Sequence, residues 1–138
     1  MLISTKGRYA LRYMVDLVRH TETPVSLGDS AARLGISMKY LEQIAANLVR
    51  DGHITALRGA SGGYRLKRTA DSYTVLSILQ SVENHLSTVS CIAHNPMLCE
   101  RADDCPTLPL YKRLQKAIDE ILESTTLADL AKSHEKSV

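Results

Sequence analysis

Apolar positions along this chain change period several times, and each change marks an element. Between residues 5 and 20, Ala10, Leu11, Met14, Leu17 and Val18 fall at i, i+1, i+4, i+7 and i+8. That spacing predicts one apolar stripe on a helix, with Ser4 or Thr5 able to cap its start. Pro24 interrupts it. Ser26 then opens a second, short helix, with Asp29 three residues on as a weak capping-box partner. Leu27, Ala31 and Leu34 form its apolar side, and Gly35 stands where glycine ends helices. Ser37 is again an N-cap residue. A third helix over 38–50 is expected to bury Leu41, Ile44, Ala45, Leu48 and Val49, leaving Lys39, Tyr40, Gln43, Asn47 and Arg50 on its other side.

Helix, short glycine-containing turn and helix is the helix-turn-helix arrangement. After Asp51-Gly52 the period drops to two. HITALR (53–58) and YRLKR (64–68) are strand candidates, and GASGG between them supplies three glycines in five residues. The pair reads as a β-hairpin with a small-residue tip. A hairpin directly after such a helix is a wing. A phosphate-cradling glycine loop would need a helix and a Lys-Ser/Thr pair behind it, and here a strand follows.

Helical periodicity returns over 74–85, with Val75, Ile78, Leu79 and Val82 on one face and Thr74 as cap. A long helix follows from about 108 to 123. Tyr111, Leu114, Ile118 and Ile121 step by three, four and three, a heptad-like seam that Leu110, Ala117 and Leu122 widen. So broad an apolar face needs cover, and the expected cover is its copy in a second subunit. Thr125 or Thr126 caps a last short helix, LADLAK, before a polar tail, SHEKSV, that is expected to fray. The predicted fold is mainly α: a winged helix-turn-helix with a two-stranded β wing and a long C-terminal dimerisation helix. The expected divisions are a DNA-binding domain at 1–85, a cysteine loop at 86–107, and a dimerisation helix and tail at 108–138.

Composition adds limits. The 138 residues suit one domain, or one with an appendage, and no apolar run approaches the roughly 20 residues of a membrane span. Phe and Trp are absent, so the core falls to Leu, Ile, Val, Ala and Tyr. MLISTKGRYALR lacks an unbroken apolar stretch and a small-residue cleavage site, which predicts a mature, cytoplasmic chain. Net charge is +2, unevenly spread. Residues 1–70 hold eleven Lys/Arg and five Asp/Glu (+6); residues 71–138 hold six and ten (−4). A basic front half fits an anionic partner, above all nucleic acid, or a solvated basic face.

The three cysteines, Cys91, Cys99 and Cys105, lie within fifteen residues, CIAHNPMLCERADDC. Three thiols cannot all pair within one chain, and in a reducing compartment such a cluster points to a metal or redox site rather than a disulfide frame. Iron–sulfur clusters take thiolates, usually with four ligands. Three cysteines and His94 would also make a Cys₃His zinc site, although structural zinc loops carry C-x₂₋₄-C spacing, absent here. A metal-free thiol switch and three incidental loop cysteines complete the alternatives. There is no C-x-x-C, nucleophile–base pair or cofactor-phosphate motif, so no enzyme is predicted.

STKGRYALRYM (4–14), ISMKYLEQI (36–44), LRGASGGYRL (57–66) and STTLADLA (124–131) together make nearly the whole chain resemble the Rrf-two family of winged-helix regulators. That family includes an iron–sulfur cluster regulator and a cysteine-metabolism repressor. The resemblance implies a homodimer on a roughly palindromic double-stranded DNA operator, with recognition helices in major grooves and wings in minor grooves. The implied contact residues are Lys6, Ser37, Lys39, Tyr40, Glu42, Gln43, Arg58, Gly59, Ser61, Gly62, Gly63 and Tyr64. Their chemistry agrees. Gln and Lys read base edges, arginine is drawn to a narrow minor groove, and Glu42 can accept from cytosine or reject wrong sequences.

The resemblance also implies that Cys91, Cys99 and Cys105 hold one iron–sulfur cluster per subunit, two-iron two-sulfur before four-iron four-sulfur. The chain departs from the pattern at the fourth ligand. Leu108 stands where the cluster regulator has histidine, and Arg8 stands where a nitric-oxide-sensing branch has aspartate. His94, Glu100, Asp103, Asp104 or a small molecule could fill that place.

Overall fold

The computed structural model describes residues 3–93 and 99–133. Chain order among them is α1 (Thr5–Val18), α2 (Leu27–Leu34), α3 (Met38–Arg50), β1 (Ile54–Leu57), β2 (Gly63–Leu66), α4 (Val75–Val82), α5 (Leu108–Ser124) and α6 (Leu127–Lys132). Short 3-10 turns lie at Ala70–Ser72 and Ser90–Ile92. His94 and residues 134–138 of the polar tail fall outside the described residues. None of the described helices is long and apolar enough to cross a membrane.

The predicted caps form. The hydroxyls of Ser4, Ser26, Ser37 and Thr74 accept from the backbone N–H of Gly7, Asp29, Tyr40 and Ser77. Each satisfies a donor that the first helical turn would otherwise leave unpaired. Thr126 makes a full capping box with Asp129. Gly35 closes α2 in the left-handed conformation, φ 68°, and so turns the chain sharply into α3.

One core joins α1, α3, β1, α4 and α6. Tyr13, Met14, Leu41, Ile44, Leu48, Ile78 and Leu127 are fully enclosed there. One expectation about it changes. Val49 is exposed, because α3 turns Leu48, not its neighbour, toward the core. Tyr13 is fully buried, with no hydrogen-bond partner for its hydroxyl among the described residues. Burial and the nearby Tyr64 and Asp16 push that hydroxyl's pKa far up.

Asp16 is the buried charge that ties α1 to α2. Its carboxylate accepts from Arg33 Nε at 2.7 Å, Arg33 Nη2 at 2.9 Å and Ser30 Oγ at 2.7 Å. Burial alone would raise its pKa, but the Arg33 and Ser30 hydrogen bonds outweigh burial and hold it below the usual carboxylate range.

The long helix α5 departs from its predicted seam. Leu108 and Leu122 are buried, and Ile118 packs with Val75, Leu79 and Leu122 inside the same chain. Leu110, Leu114 and Ile121 stay exposed, at 50%, 46% and 63%. With Ala117, which is also exposed, they step by four, three and four along one side. The wide apolar face is thus two stripes, and Ile118 belongs to the inward one.

Candidate nucleic-acid interface and cysteine loop

Helix α3 carries the expected reading residues on its outer side. Lys39, Glu42 and Gln43 are exposed. The Ser37 hydroxyl caps the helix by accepting from Tyr40 N–H at 3.1 Å, and its own proton stays available to donate to a phosphate. Tyr40 is half-buried. Its ring meets Tyr9 of α1 edge to face, centroids 6.0 Å apart at 84°, and Arg12 lies 5.4 Å over Tyr9. Tyr40 therefore presents only part of its surface, held from behind. Tyr9 and Arg12 were not singled out in the sequence, where only helical spacing could have hinted at them.

The wing is an antiparallel pair in register Ile54↔Leu66, Thr55↔Arg65, Ala56↔Tyr64 and Leu57↔Gly63. Val25, just before α2, extends it. Val25 N–H donates to the Tyr64 carbonyl and Tyr64 N–H to the Val25 carbonyl, both at 2.8 Å. This pairing fixes the wing against the helix-turn-helix. It also explains two glycines. A Cβ on Gly63 would run into the Val25 carbonyl, and one on Gly62 into the Leu57 carbonyl. Both meet demands of the chain's own backbone, whereas the space beside Gly59 is open. Arg58, Gly59 and Ser61 form the exposed tip; Gly62, Gly63 and Tyr64 are half-buried.

The basic front half divides by role. Arg33 is held by Asp16, Arg50 by Asp51 and the Ser81 carbonyl, and Arg19 by the carbonyls of Ala131 and Ser133. Arg68 lies 4.4 Å over the Tyr73 ring. Lys6, Lys39, Arg58, Arg65 and Lys67 have no hydrogen-bonded or ion-paired side-chain partner among the described residues. Those five cations are the ones left to meet phosphates or base edges.

The cysteine loop is anchored at its start. Gln115 of α5 accepts from Thr88 N–H at 2.5 Å and donates to the Leu86 carbonyl at 2.7 Å and to Asp119 at 2.8 Å. Glu83, at the end of α4, accepts from Ser4 N–H at 2.9 Å and Ser4 Oγ at 2.7 Å, linking the loop's root to the cap of α1. All three thiols are free; Cys91 and Cys105 are half-buried and Cys99 is exposed. Cys105 Sγ lies 3.3 Å from the Thr107 hydroxyl. That hydrogen bond is the main cause drawing the thiol's pKa below its ordinary value, which favours thiolate.

Three free thiols on one loop suit a metal or cluster chemically, but they are not pre-gathered. No group of three or more His, Cys, Asp or Glu among the described residues could hold one ion. Leu108, which the resemblance sets against the cluster regulator's histidine, is buried at 7%. Arg8 is exposed and donates to Thr5 Oγ1 at 3.0 Å.

A capped helix-turn-helix, a paired wing and a spare set of cations on one chain define a winged-helix DNA-binding protein. The sequence model of the Rrf2 (Rrf-two) family, described as an iron-dependent transcriptional regulator, matches residues 3–133. The HTH-type transcriptional regulator IscR of Erwinia tasmaniensis is 35% identical over 136 residues, 98% of this chain and 81% of that protein. CymR, the global cysteine regulator of B. subtilis, superposes with a TM-score of 0.81 at 37% identity, covering 98% of this chain and 99% of that one. T. potens IscR gives 0.78 at 35%, covering 98% and 89%. This chain belongs to the Rrf2 family of transcriptional regulators, which are non-enzymatic DNA-binding proteins.

Proposed function

We propose that this regulator works in the cytoplasm as a homodimer on a two-fold DNA operator. Lys39, Glu42 and Gln43 read the major groove, and Arg58 reads the minor groove. The observation that carries this reading is the partnerless basic set on α3 and the wing, beside a wing fixed to the helix-turn-helix by the Val25–Tyr64 pairing. Ser37, Tyr40 and Lys6 add backbone contacts, with Gly59, Ser61, Gly62, Gly63 and Tyr64 forming the approach surface. Residues 1–85 serve as the reading head, 86–107 as the sensing loop and 108–138 as the dimer arm. The exposed stripe of Leu110, Leu114, Ala117 and Ile121 supports the dimer, since a heptad-like apolar line in water calls for a partner.

Sensing resides in Cys91, Cys99 and Cys105, which would hold one iron–sulfur cluster per subunit, two-iron two-sulfur before four-iron four-sulfur. Such a cluster supplies reversible one-electron chemistry and oxygen lability. The free, partly exposed thiols and the IscR relatives support this. A second reading, a metal-free thiol switch, draws support from the ungathered thiols and the likeness to CymR.

Anaerobic reconstitution with iron and sulfide, followed by iron and sulfide analysis and visible absorbance, separates the readings. Cluster uptake that any of Cys91→Ala, Cys99→Ala or Cys105→Ala sharply reduces is the expected result. Uptake of one zinc per chain with no sulfide would overturn it in favour of a structural metal. No metal uptake, with oxidant-dependent DNA release, would favour the thiol switch.

A further inference from the structure

Tyr73 lies between the wing and the dimer arm, in a turn that no sequence motif marks. Its side chain is fully buried. The hydroxyl donates to the His53 carbonyl at 2.5 Å and accepts from the backbone N–H of Lys67 at 3.2 Å and of Arg68 at 3.1 Å. His53 precedes β1, and Lys67 and Arg68 follow β2. This oxygen therefore reinforces the base of the wing, beyond the last register pair, Ile54↔Leu66, where the backbone adds only a long bond from Lys67 N–H to the His53 carbonyl at 3.4 Å. The ring braces the same place. Arg68 lies 4.4 Å over it, the His53 ring is 5.8 Å away, and Arg68 Nη2 donates to His53 Nδ1 at 3.3 Å.

Tyr73's backbone faces the other way. Leu127 N–H donates to the Tyr73 carbonyl at 3.0 Å, and Val75 N–H donates to the Thr125 carbonyl at 2.9 Å. Thr74 and Thr126 form a β-bridge between them. Residues 73–75 are thus zipped to the junction of α5 and α6. The end of the dimer helix and the base of the wing meet on one residue.

We propose that Tyr73 is the positioning residue for the wing: it fixes the angle at which Arg58 is offered to DNA and ties that angle to the end of α5. This rests on the DNA-reading role of the wing proposed above. The physical reason is directional. Removing the hydroxyl leaves the Arg68 N–H without its partner and the His53 carbonyl and Lys67 N–H with only their long 3.4 Å bond to each other, and it loosens the strand ends without removing any DNA-facing atom.

The test is Tyr73→Phe in the full chain, alone and combined with Arg58→Ala, on an operator recovered by selecting wild-type-bound duplexes from random DNA. Phenylalanine keeps the buried ring, so cooperative melting and the oligomeric state are expected to persist. Exchange of the Lys67 and Arg68 amides should quicken. Operator affinity should fall by about tenfold, the size expected for one well-placed polar contact. In the Arg58→Ala background the same substitution should cost little more, because both act through one contact. Unchanged amide exchange, wild-type affinity in Tyr73→Phe, or fully additive losses would each overturn the proposal. A wild-type protein that enriches no sequence would instead sink the DNA-reading role, a result distinguishable from those three.

Discussion

The winged-helix body and the long helix α5, proposed above as reading head and dimer arm, are built on opposite terms. In the head, α1, α3, β1 and α4 surround side chains with no exposed surface: Tyr13, Met14, Leu41, Ile44, Leu48 and Ile78. In the arm, α5 runs for 17 residues yet buries only Leu108 and Leu122, while Leu110, Leu114 and Ile121 face outward. The head's core is closed with the help of Leu127 from α6, whereas α5 covers only one of its two apolar stripes. The arm's inner side combines the packing of Ile118 and Leu122 on α4 with the Gln115 amide gripping Leu86 and Thr88. An arm that is incomplete takes its final form from whatever covers it and whatever orders the loop that Gln115 holds, which is where a signal can bias a population of states.

The largest effect should come from breaking the head. Leu48→Ala is expected to cost ~2–5 kcal/mol, the range for emptying a packed core position. Ile121→Ala, measured below the concentration at which the chain associates, should stay within ~0.5 kcal/mol. Urea unfolding of both variants checks the contrast, and equal losses would erase it.

Ile121→Glu attacks the arm's outer stripe without touching the core. Sedimentation should show a monomer with a native circular dichroism spectrum, because a lone carboxylate is poorly tolerated in an apolar interface. Operator affinity should fall at least about tenfold, since half-sites are read in pairs. An intact dimer with full affinity would place the interface elsewhere. Ile118→Glu sharpens the point, because Ile118 packs within its own chain and should destabilise the monomer itself.

Arg58→Ala leaves head and arm folded and removes one exposed cation. The expected cost is ~1–3 kcal/mol of operator affinity, with sequence preference relaxed at one position if it meets a base edge. Titration against salt checks it: a pure phosphate contact would instead lower affinity on all sequences and flatten the salt slope.

The smallest effect is a drift with pH. Burial first, and the neighbouring Arg68 second, depress the His53 pKa. The unfolded chain therefore binds that proton more readily than the folded one. Stability is full above the ordinary histidine value of about 6.5 and declines as pH falls below it. Melting curves between pH 8 and 5 should show the decline, and His53→Asn should flatten it. Asp16, held below the usual carboxylate range, adds a separate loss only at stronger acidity.

Local chemistry is what the sequence determined by itself. The caps at Ser26, Ser37 and Thr74, the stop at Gly35 and the GASGG tip each depend on residues a few positions apart, so a one-dimensional pattern carries them. The helix-turn-helix and wing followed from their order, and the family from four matching stretches. Tertiary structure alone decided which side of each stripe faces inward. Tyr111, Leu114, Ile118 and Ile121 form one seam on paper, but the packing of α4 takes Ile118 and leaves Ile121 in water. It alone paired Val25 with Tyr64, set Tyr73 between wing and arm, and divided the arginines into those that brace the fold and those left free. Those partners are distant in sequence. Helical and strand periods say how a segment can be amphipathic, but not which other segment will cover it.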